Sequence, residues 1–121
     1  MSISFRSADP DQLLKSLNRA IDNHQQGRSG DRIDTWRYVQ HQGHYFYTHT
    51  SQNWRDKAWL RADLQQGQLV FVVRPVQNVG LTRDVYAYYV GHLAETFIRH
   101  FSRQWSTAQT TSDPSSDDAN F

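Results

Sequence analysis

The chain has no cysteine, three prolines, one methionine and two lysines among its 121 residues. Without cysteine there is no disulfide frame, no thiolate nucleophile and no thiolate metal site. No apolar run approaches the length that crosses a bilayer, and Met1-Ser-Ile-Ser-Phe-Arg lacks the three-part layout of a secretion signal. The expectation is a soluble cytoplasmic protein with no membrane association. Nucleophile-elbow, phosphate-loop and zinc-protease patterns are also missing, and nothing in the spacing of ligand-type residues calls for a cofactor or a metal.

Charge of one sign is sparse as well. Residues 1–112 hold all 13 Lys and Arg but nine of the 12 acids, a net of +4, which is well short of a dedicated duplex-DNA binder. Eleven of the 13 cations are arginine, which stacks on rings and forks onto carboxylates or phosphates as lysine does not. Codon bias explains that excess equally well. Only 37% of residues are hydrophobic, and from Ser106 onward Phe121 alone is large and apolar. Such a segment does not offset its ordering entropy. Residues 1–105 are therefore expected to form one domain, with 106–121 as a disordered acidic tail.

Asp9-Pro10-Asp11-Gln12 has the form of a helix start, with Asp9 as cap, Pro10 at the first helical position and Gln12 completing a capping box. Leu13, Leu14, Leu17 and Ile21 follow at helical spacing until Gly27 and Gly30. Thr82 caps a second helix whose apolar stripe is Tyr86, Tyr89, Val90, Leu93, Phe97 and Phe101; Gly91 inside it reads as the mark of a close crossing. Between the helices the period changes to two, giving strands over roughly 33–41, 44–50, 57–65 and 68–75. Gln42-Gly43 and Gln66-Gly67 read as two-residue hairpin turns. The fold class expected is α+β: a four-stranded, mainly antiparallel sheet with an N-terminal and a C-terminal helix packed on one face.

Two-residue turns set register, and register decides which side chains share a face. His41 pairs with His44, Val39 with Phe46 and Arg37 with Thr48. The other face of that hairpin carries Trp36, Tyr38, Tyr45, Tyr47 and His49. In the second hairpin Leu60, Ala62, Leu64, Leu69, Phe71 and Val73 form a core side, opposite Trp59, Arg61, Asp63 and Arg74. Either face of the first hairpin can be the inner one. Burying a large aromatic contributes about 1.5–3 kcal/mol, which favours rings inward; rings outward would need a ligand or partner to cover them.

No catalytic set is legible. His41 and His44 alone are two ligands where a metal site needs three or four. His92, Thr96 and His100, flanked by Glu95 and Arg99, read as the wet edge of the second helix. The leading expectation is a non-catalytic binding or adaptor protein making protein–protein contacts, or a homodimer, through an aromatic and arginine-rich surface. The contact set expected is Trp54, Trp59, Arg61, Arg74 and His49, with Trp36 and Tyr47 beside them, because Trp and Arg dominate recognition hot spots. Single-stranded nucleic-acid binding is the alternative: Trp36, Tyr38, Tyr45, Tyr47 and Trp59 stack bases while Arg37, Arg61 and Arg74 follow phosphates. A small metal-independent enzyme built around His49 or His92 is the third.

Asp117-Asp118-Ala119-Asn120-Phe121 resembles the acidic tip of bacterial single-stranded-DNA-binding proteins, in which aspartates precede a terminal phenylalanine. The resemblance covers five residues, and Asn120 stands where that family usually has proline. It implies a tail that presents its carboxylate and ring to a basic, apolar pocket on a partner; the body of the chain does not read as that family's five-stranded barrel. An acidic solvating tail is the plainer reading.

Overall fold

A computed structural model describes residues 1–76 and 80–112. Both helices form where their caps predict. In α1 (Pro10–Gln25) the Asp9 carboxylate accepts the Gln12 backbone N–H at 3.1 Å, and the chain leaves the helix through Gly27 at φ 65°. In α2 (Arg83–Phe101) the Thr82 hydroxyl accepts the Val85 N–H at 3.2 Å, and all six stripe residues are buried. Gly91 departs from expectation. It is exposed, and a Cβ added there would meet nothing within 4 Å, so no element crosses close to it.

The two hairpins also form in the expected register. Strand β2 (Trp36–His41) pairs with β3 (His44–His49) through Tyr38↔Tyr47 and Val39↔Phe46. Gln42 and Gly43 both take positive φ, 51° and 80°, the backbone that matches the twist of flanking strands. Strand β4 (Ala58–Gln65) pairs with β5 (Gln68–Pro75) through Leu60↔Val73 and Ala62↔Phe71.

The sheet has six strands, not four, in the order β2-β3-β4-β5-β1-β6. Strand β1 (Ser2–Arg6) lies antiparallel against β5, with Ile3↔Phe71 and Phe5↔Leu69. Its alternation of Ile3 and Phe5 inward with Ser2 and Ser4 outward is a period-two pattern in only five residues. Strand β6 (Ala108–Thr110), inside the segment assigned by composition to the tail, lies against β1 and is exposed at every residue. It carries no large apolar side chain, so hydrogen bonds place it: backbone pairing to β1, with the Tyr86 hydroxyl of α2 meeting Thr110 Oγ1 at 3.1 Å. Arg6 N–H to the Thr107 carbonyl and Ser106 N–H to the Arg6 carbonyl, each 2.9 Å, begin that pairing. Residues 113–121, which include the acidic tip, lie outside the described residues.

Both helices cover the same side of the sheet, and the ring-rich face of the first hairpin points toward them. Tyr47 meets Asn18 of α1, and Phe71 meets Phe97 of α2 at 5.7 Å. The unforeseen first strand is central to this core. Phe5 is fully buried, stacks on Phe97 at 4.2 Å and sets its edge against Phe71 and Trp105. Phe5→Ala is therefore expected to lower unfolding free energy by about 3–5 kcal/mol, read from urea titration; an unchanged midpoint would show β1 to be dispensable. Gly91→Ala should instead raise stability by about 0.5–1 kcal/mol, because it removes glycine's helix cost with no new contact.

Candidate binding surface

Three of the inward rings place a polar group against a partner across the core. Trp36 Nε1 donates to Thr96 Oγ1 at 2.9 Å, and the Tyr47 hydroxyl donates to Asn18 Oδ1. The Tyr38 hydroxyl donates to Asp22 Oδ1 at 2.8 Å; burial, then that carboxylate, pushes its pKa up to about 12. Trp36 and Tyr47 are 1% and 0% exposed. They are core residues, which removes both from the expected contact set. Trp36 and Tyr47 are closed to bases as well, and Tyr38 and Tyr45 are half-buried on the same covered face.

His49 is likewise a core residue, 3% exposed. Its Nδ1 accepts the Ser51 N–H at 3.0 Å, so that nitrogen carries no proton. The proton of the neutral ring then sits on Nε2, which faces His92 Nδ1 at 3.3 Å and donates to it. Burial, and secondarily His92, lowers the His49 pKa. Beside this pair Tyr88 is sandwiched between Trp54 at 3.9 Å and His92 at 4.0 Å, both rings close to parallel with it. The Tyr89 hydroxyl donates to the Trp54 carbonyl, and Thr48 Oγ1 accepts the Asp56 N–H at 3.1 Å. Trp54 thus clamps the 50–57 connection onto α2 instead of joining Trp59.

Three of the expected contact residues do share a surface. Trp59, Arg61 and Arg74 lie on the sheet face turned away from both helices, with Trp59 opposite Arg74 and Arg61 opposite Val72. The register adds Arg37, Val39, Phe46, Val70 and Val72 to the same face. Val39 is 42% exposed, and Phe46, Trp59 and Val72 are half-buried. The Arg37 guanidinium lies over the Trp59 ring, 5.1 Å from its centre, and is tethered to Asp56 at 2.5 Å. Arg61 forks onto Asp63 at 3.0 and 3.1 Å. Arg74 has its pKa lowered, first by burial and then by the neighbouring Arg61 cation.

The facing histidines of the first turn, His41 and His44, pair across the hairpin as expected. His44 Nδ1 lies 3.5 Å from Asp63 Oδ1, and among the described residues no three metal-ligating side chains gather anywhere. Among those residues no helix is long and apolar enough to cross a membrane. Phe46 and Val39 were missed as contact candidates although the same turn parity that places Arg37 outward places them there. No family model, curated protein or solved structure matches the chain.

The buried imidazole has a pH consequence. A folded-state pKa below the ordinary value of about 6.5 means the unfolded chain holds more protons in the interval between them. The stabilisation is complete above the ordinary value and is lost as pH falls through it toward the folded one. The urea midpoint should accordingly drop between about pH 7 and pH 5, and His49→Phe should flatten the drop. Equal slopes in the two proteins would remove His49 as its source.

Proposed function

We propose that the protein is a non-catalytic binding domain whose helix-free sheet face docks a protein partner carrying carboxylates around an apolar contact. The observation that carries this reading is the composition of that face. Phe46, Trp59, Val39 and Val72 offer apolar area next to Arg37, Arg61 and Arg74, and the guanidiniums of Arg61 and Arg74 are close enough to oppose one another's charge. The two acids there, Asp56 and Asp63, are bonded to Arg37 and Arg61, and Asp63 also offsets part of the Arg74 charge, so three guanidiniums share two carboxylates. A carboxylate arriving beside Trp59 would relieve the crowding of cations while its neighbours cover the ring. Two copies face to face would oppose arginine to arginine, so charge favours a different, acidic partner over a symmetric dimer.

Tryptophan and arginine at the centre of an interface are the residues whose truncation costs most. Trp59→Ala together with Arg61→Ala is expected to weaken partner binding by at least about 2 kcal/mol, roughly thirtyfold, while circular dichroism stays unchanged. A partner recovered by the wild-type chain is titrated by calorimetry against both proteins. Undiminished affinity of the double variant would end the assignment. Salt-sensitive quenching of Trp59 fluorescence by a single-stranded oligonucleotide would instead move the face to the nucleic-acid reading.

A further inference from the structure

On the opposite side of the molecule, α1, the loop after it and the end of α2 enclose a cleft of about 470 Å³, within the range of small-molecule sites. The loop is held firmly. Asn23, buried in α1, donates through Nδ2 to the Asp31 carbonyl at 3.0 Å and accepts the Arg28 N–H on its own carbonyl at 2.9 Å. The Ile33 N–H bonds the Ala20 carbonyl at 3.0 Å. Gly30 takes φ 103° there, which brings the loop against Asn23. This places the Asp31 carboxylate 2.7 Å from His100 Nδ1 on α2, a contact across 69 residues of sequence. A carboxylate at Nδ1 fixes the tautomer and orientation of an imidazole.

We infer that this cleft binds a small phosphate monoester, gripped by Arg19, by His100 Nε2 and by the Ser29–Gly30 segment of the loop. Arg19 lines the cleft from α1 and makes no ion pair among the described residues. The imidazole makes no hydrogen bond besides the one to Asp31, and the Ser29 and Gly30 N–H groups meet no acceptor, again among the described residues. The donors therefore come from three separate elements. That arrangement suits the three non-ester oxygens of a tetrahedral phosphate better than the two coplanar oxygens of a carboxylate. Asp31 is engaged by His100 Nδ1, which leaves Arg19 as the cation of the cleft that faces a ligand. The volume exceeds what a bare phosphate fills, and Ala20 and Phe101 supply an apolar wall for the organic part. The site is independent of the sheet face.

The full chain, isotope-labelled, is titrated with phenyl phosphate, inorganic phosphate and acetate while the amide signals of Ser29 and Gly30 and the His100 ring are followed. Saturable shifts are expected, tightest for phenyl phosphate and weakest for acetate, with Arg19→Gln and His100→Gln each weakening binding tenfold or more. Arg19 is exposed, so its replacement leaves the fold intact. Linear, unsaturable shifts, or wild-type affinity in both variants, would overturn the site. Acetate binding as tightly as phenyl phosphate would overturn its assignment to phosphate.

Discussion

A two-residue reversal leaves the strands on either side of it no freedom of register, and both hairpins of this domain are built on one. With Gln42 and Gly43 occupying the turn, Trp36, Tyr38, Tyr45, Tyr47 and His49 must share one face, and Phe46, Val39 and Arg37 the other. A slip by a single residue would exchange the faces and expose the rings to water. From that parity come the polar ties across the core, the imidazole pair, and the clustering of Trp59, Arg61 and Arg74 on the side the helices leave uncovered.

The molecule divides its aromatic residues by their environment. Inside, three rings of the first hairpin are each matched to one group on a helix: Thr96 for Trp36, Asn18 for Tyr47, Asp22 for Tyr38. Such bonds add little net stability singly, yet leaving any buried donor unmatched would cost about 1–3 kcal/mol. They also dictate where each helix sits along the sheet. Outside, the Trp59 indole makes no such bond among the described residues and lies beneath the charged guanidinium of Arg37. That difference separates a ring that organises the core from one available to a partner.

The hairpins, both caps and the cross-strand pairs were legible because each is local: a turn residue, a capping side chain, an alternation of several residues. What escaped has a common cause in distance along the chain. Strand β1 is five residues whose alternation is too brief to stand out, and its partner β5 lies some seventy residues away. Strand β6 has no hydrophobic signal at all, since it borrows the exposed edge of β1. Gly91 misled because a helix glycine signals a tight crossing only when an element lies there, and none does.

Of the contact residues expected, Trp59, Arg61 and Arg74 were readable as a group from parity alone. Trp36, Tyr47 and His49 were separated from them only when two helices settled on one side of the sheet. Trp54 was claimed by stacking on Tyr88, 34 residues further along the chain and beyond any local pattern. The amino-acid order by itself determined the elements, their turns and which residues face together, because backbone sterics and side-chain period act over a few residues. Which of the two faces became the interior, and that Asp31 would meet His100, was decided by packing between segments far apart in the chain, where burial of the whole cluster outweighs the preference of any single stretch.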